Sequence, residues 1–450
     1  MKTLLNDAAA RAIRYIETLD QRGVAPTPAA IAALRGFDEP LPEKSSDPAA
    51  VLRQLDELGS PATTAMAGRR FFGFVIGGSI PVTLAANWLA GAWDQNAGLG
   101  KPTPGVSYLE EISLRWLIEL LRLPPGSGGA FVTGATVANF CGLAAARHAV
   151  LRRVGWNVEA DGLFGAPPIT VIVGAEVHPS VTKSLGMLGL GRSRVVKVPV
   201  DGQGRLRPDQ IPPISGPTIL IAQLGNVNTG ACDDLAAICA RVKPAGAWVH
   251  VDGAFGLWAA ATRTHAHLIA GVNEADSWAT DAHKWLNVPY DCGLAFVRDP
   301  HALKAAMAIT AEYLPTEGEI RNPSDFTPEL SRRARGVEVW TALRTLGREG
   351  IATMIEANCA QARRFAAQLA AGGCEILNEV ALNQVLVAFG DAEKTKRVIE
   401  QVQRDGTCWA GVTVWQGRTA MRISVSSWAT TEADIDRSAE AILRVVRATS

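Results

Sequence analysis

The chain has 450 residues, a length that suits up to three domains of about 150 residues or one large α/β core with appendages. Its composition, 48% hydrophobic and 20% charged, is that of a globular protein with a sizeable core and excludes wholesale disorder. Lys and Arg total 44 against 44 Asp and Glu, which argues against nucleic acid or an anionic membrane surface as a partner, since these select a basic excess. A neutral total still leaves room for a local basic pocket. The cysteines, at 141, 232, 239, 292, 359, 374 and 408, are odd in number and form no CxxC pair. Neither a disulfide framework nor a zinc ribbon is expected from them. The N-terminus meets Asp7, Arg11 and Arg14 before any long apolar run, unlike a signal peptide, and no stretch approaches roughly 18 uncharged apolar residues. These features predict a soluble, cytoplasmic protein.

Along the chain, Leu5, Ala8, Ile13, Ile16 and Leu19 stand near helical spacing and predict a helix over 4–19. Residues 20–47, rich in Pro and Ala, form a connector before a short helix at 48–59. A helix over about 108–122 stops before Pro124-Pro125-Gly126. From about 130 short β-branched runs alternate with helical stretches: 170–173, 194–198, 218–222, 247–251, 277–280 and 293–297. Apolar strands without alternation, separated by helices, predict an α/β fold whose mostly parallel sheet is covered on both faces. After about 335 a long helix (336–346, continuing over 350–371) leads into strand, helix, strand, helix at 382–389, 393–405, 420–426 and 431–447. The chain thus divides into an N-terminal helical arm (1–60), a large domain (61–305), a mobile loop and linker (306–335) and a small α+β C-terminal domain (336–450).

Four stretches carry chemistry. Thr280-Asp281-Ala282-His283-Lys284-Trp285 follows a strand. A lysine between a buried strand and an aromatic must be paired or lose its charge, and such amines recur as nucleophiles towards carbonyls. Taken alone, a snorkelling surface lysine is the plainer alternative. Upstream, Asp252 ends the strand of His250-Val251-Asp252-Gly253-Ala254, at the edge where open α/β sheets bind ligands. It could hold a protonated pyridine nitrogen, with Gly253 and Ala254 leaving room for a flat ring, or simply cap a helix. Phe131 to Asn139 opens a helix with small and hydroxyl residues, suited to a phosphate or to an ordinary Thr cap. No Gly-Lys-Ser/Thr follows, so it is not a Walker loop. His178, just past the strand at 170–173, is either a satisfied loop residue or a ring that stacks on a planar cofactor. His265 and His267 lack a third ligand, and no metal site is expected.

The order of these elements, with His250 to Gly256, Asp281 to Leu286, Gly225 to Ala231, Pro328 to Arg335, Arg69 to Phe74 and Met421 to Ser426, resembles the group II pyridoxal-phosphate-dependent amino acid decarboxylase family, which has the aspartate-aminotransferase fold, fold type I. The resemblance runs over roughly residues 50–445. It implies a mostly parallel seven-stranded sheet covered by helices, with a small α+β C-terminal domain, and pyridoxal 5'-phosphate (PLP) as cofactor. It further implies that Lys284 is the Schiff-base lysine, Asp252 the partner of the pyridine nitrogen and His178 the ring-stacking residue. Ala135 and Thr136 would hold the phosphate, with Asp281 at a phosphate-side polar position, Ala254 against the ring and His283 beside Lys284. Phe74 and Arg422 match substrate contacts. The implied reaction is decarboxylation of an L-amino acid to its amine and carbon dioxide.

Members usually carry a tyrosine on a mobile loop before the Ser-Arg-Arg segment, as proton donor. Here residues 320–327 contain none, and the nearest is Tyr313. Either Tyr313 or His178 serves as the acid, or the reaction takes another course, such as aldehyde-forming decarboxylation, lyase chemistry or transamination. A catalytically silent member acting as a binding partner is the remaining alternative, and retention of Lys284, Asp252 and His178 together speaks against it. The resemblance also implies a homodimer with active sites at the interface, and the long, polar, Pro- and Gly-punctuated segment over roughly 310–330 predicts a mobile lid. On the substrate, Phe71, Phe72, Phe74 and Trp93 lean towards an aromatic or apolar side chain, Arg69 and Arg70 towards an acidic one.

Overall fold

A computed structural model describes residues 1–309 and 318–449. The chain separates into two compact units, one of Met1–Gly78, Gln361–Leu377 and Val385–Ser450, the other of Ser79–Ala360 and Asn378–Gln384. The expected divisions at 60, 305 and 335 do not coincide with them. Residues 336–360 count with the larger unit, because Val337 is buried there with Ala86, Ala90, Ala97, Val106 and Ala334.

The larger unit is built on a seven-stranded sheet: β1 (Gly128–Val132), β2 (Thr170–Gly174), β3 (Val196–Val198), β4 (Thr218–Gln223), β5 (Trp248–Asp252), β6 (Ser277–Asp281) and β7 (Gly293–Val297). The strand order is β1-β7-β6-β5-β4-β2-β3, and β7 alone runs against its neighbours. This is the mostly parallel sheet expected from the sequence. Every residue of β5, β6 and β7 is buried, which is why β7 shows an unbroken apolar run, Leu294–Val297, and no alternation. β1 escaped sequence reading because it opens on Gly128-Gly129, poor strand formers. A Cβ on Gly129 would stand 2.6 Å from the Ala295 carbonyl oxygen, so the pairing with β7 needs a glycine there.

The helix Ala135–Arg152 packs on this sheet with 11 residues buried, among them Ala138, Cys141, Gly142, Ala144, Ala145 and Ala146. Its small residues let helix and strands approach closely. The long helical stretch Gly336–Ala371 bends at Gly347, whose backbone (φ 59, ψ −174) leaves the helical region. The Ser-Arg-Arg-Ala-Arg segment ahead of it ties the unit together. Arg332 pairs with the buried Glu110 at 3.1 Å and donates to the carbonyls of Ala97 and Phe131. Arg333 pairs with Glu338, and Arg335 with Asp291 at 2.9 Å.

In the smaller unit, β8 (Glu375–Ile376), β9 (Gln384–Ala388), β10 (Gly411–Trp415) and β11 (Arg418–Ser424) are ordered β10-β11-β9-β8. The helix Ala392–Asp405 is capped by Asp391, and Glu432–Ala448 by a capping box of Thr431 and Asp434. Phe71 and Phe72 are core residues here: Phe71 stacks on Trp409 at 5.0 Å and Phe72 meets Phe365 edge-on at 5.4 Å. Arg70 is buried and pairs with Asp434, while Arg69 pairs with Asp20. Packing and pairing therefore account for these four residues, and their opposed leanings on substrate fall away. All seven cysteines are buried and none forms a disulfide. Among the described residues no helix is long and apolar enough to cross a membrane.

Gly142 gives a test of the helix–sheet approach. A Cβ there would lie 2.6 Å from His250 Cε1. Helix propensity alone favours Gly142→Ala by about 1 kcal/mol, but overpacking costs about 1–3 kcal/mol. The variant is expected to be less stable than the parent in urea denaturation.

Candidate active site

Three strand ends meet at one edge of the large sheet. Asp252 closes β5 and pairs in register with Ala279 of β6, so Asp281 stands two residues further along the neighbouring strand. Asp281 pairs with Gly293 of β7, and Gly293 pairs with Val132, the last residue of β1. The chain leaves β1 through Gly134 into the helix at Ala135. A Cβ on Gly293 would lie 2.5 Å from Gly134 Cα, so glycine at 293 is what lets the helix start sit against β7.

The Asp281 carboxylate occupies the centre of this edge. Its Oδ1 accepts from the Ala135 N–H at 2.6 Å, and its Oδ2 lies 3.0 Å from Lys284 Nζ. Asp281 is 2% exposed. His283 Nε2 is 3.6 Å from Oδ2, and its Nδ1 accepts from the Cys292 N–H. Burial pushes the His283 pKa down, against the pull of Asp281. The Tyr290 ring stacks on His283 with centroids 4.2 Å apart. Sequence reading passed over Tyr290, for its motif ended at Leu286.

Asp252 is buried, and its Oδ1 has no hydrogen-bond partner among the described residues. Burial raises its pKa; His178 and Lys284 pull it down, Asp281 adds to the rise, and a hydrogen bond with Asn139 opposes it. A buried carboxylate oxygen left without a donor is costly unless a ligand completes it. A protonated ring nitrogen is such a donor, and Gly253 and the half-buried Ala254 follow directly. The donor set therefore fits PLP.

His178 caps the helix Pro179–Met187: its Nδ1 accepts from the Ser180 N–H at 3.2 Å and lies 2.7 Å from Ser180 Oγ. That bond places the proton of the neutral ring on Nε2. Ser180 Oγ also receives Asn139 Nδ2 at 3.4 Å. Asn139 Oδ1 in turn accepts from His250 Nε2 at 2.8 Å, and His250 Nδ1 meets Ser277 Oγ at 2.8 Å. Trp248 Nε1 donates to the same hydroxyl. Asn139 thus joins Asp252, His178 and the buried His250 in one polar chain. Its position on the inward face of a helix beginning at Ala135 was a usable sequence signal; its partners were not.

The structure brings Ala135, Thr136, His178, Asp252, Ala254, Asp281, His283 and Lys284 into the larger unit. Phe74 and Arg422 belong to the smaller one. Phe74 is more than half exposed and tilts against Trp409, and Arg422 lies on β11 opposite Gly411, its pKa lowered by burial. Tyr313 and the early part of the expected lid lie outside the described residues. From Arg321 on, the segment is anchored: Arg321 donates to the Gly129 carbonyl, Asn322 accepts from the Gly100 N–H, and Phe326 is buried.

A family model described as the pyridoxal-dependent decarboxylase conserved domain matches residues 31–390. The chain belongs to that family. It is a PLP-dependent carboxy-lyase that acts on an amino acid. It is 27% identical over 415 residues to tryptophan decarboxylase 1 of Oryza sativa subsp. japonica, covering 84% of this decarboxylase and 80% of the rice protein. It is 29% identical over 284 residues to phenylacetaldehyde synthase of a Rosa hybrid cultivar, 58% of this chain and 54% of that one. The crystal structure of Oryza sativa TDC with PLP and tryptamine superposes with a TM-score of 0.90 at 23% identity, over 99% of this chain and 97% of that one. This last likeness bears on the fold alone.

The buried His250 makes the decarboxylase's stability depend on pH. Burial pushes its pKa down to about 3. The unfolded chain takes up this proton below about pH 6.5, whereas the folded chain holds the ring neutral until near its lowered value. Stability from this group is thus complete above about pH 6.5 and is lost as pH falls towards 3. His250→Gln removes the term. The stability gap between parent and variant is expected to shrink by about 2–3 kcal/mol from pH 7 to pH 4.5, read by denaturant titration at both pH values.

Proposed function

We propose that Lys284 binds the cofactor covalently and that the enzyme decarboxylates an aromatic L-amino acid to the corresponding amine. The observation that carries this reading is the orphaned Asp252 Oδ1, in one site with Lys284, Asp281 and the start of the Ala135 helix. Bound PLP supplies an electron sink for the pair left at the α-carbon when carbon dioxide departs. Asp252 would keep a proton on the ring nitrogen, and its low-dielectric surroundings would strengthen that pairing. Ala135 and Thr136 offer backbone N–H groups to the phosphate. Ala254 would lie against the ring, and His283 would flank the Lys284 amine. The aromatic preference rests on the relatives, one named for tryptophan and one for phenylacetaldehyde. The proposed substrate contacts of Phe74 and Arg422 rest on the resemblance alone.

The acid that protonates the α-carbon is His178 in this reading. Its Nδ1 accepts from the Ser180 N–H, so the neutral ring carries its proton on Nε2; to act as the acid it would first take up a second proton and become the imidazolium. Tyr313 is the alternative donor. A second reading, aldehyde formation by decarboxylation coupled to deamination, is favoured by the absence of tyrosine over 320–327. We also propose a cytoplasmic homodimer. The cytoplasm suits seven cysteines without a disulfide, and the dimer suits the exposed Trp88, Leu89, Trp93 and Tyr108 of the larger unit.

Incubation with L-tryptophan, L-tyrosine, L-phenylalanine and L-glutamate, followed by assays for amine, ammonia and peroxide, tests the reaction. Amine and carbon dioxide from an aromatic substrate, without ammonia or peroxide, is the expected result; ammonia with an aldehyde establishes the second reading. Lys284→Ala should lose both turnover and the visible absorption of the bound cofactor. His178→Phe keeps a flat ring but no proton, and kcat should fall by about 10²-fold or more. Light scattering should return twice the 47.7 kDa chain mass.

A further inference from the structure

The head of the Ala135 helix offers three early donors. The Val137 N–H is taken by the Gly134 carbonyl at 2.9 Å, and the Ala135 N–H by Asp281 Oδ1 at 2.6 Å. Only the Thr136 N–H has no acceptor among the described residues. Gly134, the N-cap residue, contributes no side-chain cap of its own. The chain's own carboxylate, delivered from the end of β6, therefore fills part of the cradle that a phosphate would use.

We propose that Asp281 is an internal competitor for the cofactor's 5'-phosphate: its carboxylate and the phosphate contend for the Ala135 N–H, which weakens the phosphate's hold on the enzyme. This rests on the PLP reading above and deepens it. Two physical facts support it. Asp281 is almost fully buried, so water screens little of its repulsion towards a phosphate of about −1.5 to −2 charge. Moreover, among the described residues the one cation within 3.0 Å of it, Lys284 Nζ, is the amine that the cofactor's carbonyl must engage, so Asp281 cannot count on an undisturbed partner while the cofactor is loaded. A neutral polar side chain would cap the same N–H without either conflict. Asp281 thus trades strength of phosphate capture for a pre-capped helix and a positioned Lys284. Cofactor retention in this enzyme then depends more on Lys284 and Asp252 than on the phosphate.

The test compares cofactor-free parent, Asp281→Asn and Asp281→Ser full chains, after circular dichroism has shown each to be folded. Each is titrated with pyridoxal 5'-phosphate, with pyridoxal, which lacks the phosphate, and with inorganic phosphate by calorimetry. Changes at Lys284 affect both aldehydes alike, so the ratio of their dissociation constants isolates the phosphate. Asp252→Asn is the control for lost negative charge away from the helix head. The expected result is a preference for the phosphorylated form roughly tenfold larger in Asp281→Asn than in the parent, inorganic phosphate binding tightened by a similar factor, and an unchanged ratio in Asp252→Asn. An unchanged or smaller preference in both Asp281 variants, or an equal gain in Asp252→Asn, overturns the proposal. Should no variant take up pyridoxal 5'-phosphate at all, the cofactor reading fails. The inorganic phosphate titration still decides the proposal about Asp281.

Discussion

One buried carboxylate organises this enzyme's functional edge. Asp281 joins the end of β6 to the head of a helix that begins after β1, and the same group holds Lys284 at 3.0 Å. The two strands it links are not neighbours; β7 lies between them. β1 and β6 both run against β7, so their C-terminal ends fall at the same edge, and glycine at 293 allows the helix start to rest against the first residue of β7. If the strand ends were displaced from one another, the amine, the helix head and Asp252 would no longer share a site.

Behind this edge lies a second layer of order. The chain of Trp248, Ser277, His250, Asn139, Ser180 and His178 runs from the floor of the sheet to the imidazole beside the site. Each member fixes the donor and acceptor roles of the next. Burial keeps His250 neutral, so with its Nε2 donating to the Asn139 amide oxygen its Nδ1 accepts from the Ser277 hydroxyl. This settles the orientation of Asn139, whose amide group is then directed at Asp252 and Ser180. A buried polar chain is stabilising only when every member is satisfied, so substitutions at Asn139 or Ser277 would be felt at the site without touching the cofactor.

Much of this was legible in the amino-acid order. Fully buried strands leave runs such as Leu294-Ala295-Phe296-Val297, and four chemical stretches fell at strand ends as open α/β sheets require. What escaped was non-local. β1 has a strand's position but not its composition, and β10 has the alternation of an exposed edge at Gly411–Trp415. Phe71, Phe72, Arg69 and Arg70 looked like substrate-facing residues, yet their partners, Trp409, Phe365, Asp20 and Asp434, are distant in sequence for the most part and gave no local sign. The occupied state of the Ala135 N–H was equally hidden, since it depends on a register across three strands.

The cysteines show what dense packing means for chemical durability. Burial pushes the thiols of Cys232 and Cys408 up to about 12, that of Cys239 up to about 11, and those of Cys141 and Cys292 upward as well. Oxidants and alkylating reagents attack the thiolate, which these sites suppress, and they must also reach it. Cys141 lies within the Ala135–Arg152 helix and the Cys292 N–H donates to His283, so modification of either buried thiol has to follow local opening and cannot initiate it. Modification at these sulfurs would record how often the functional edge comes apart.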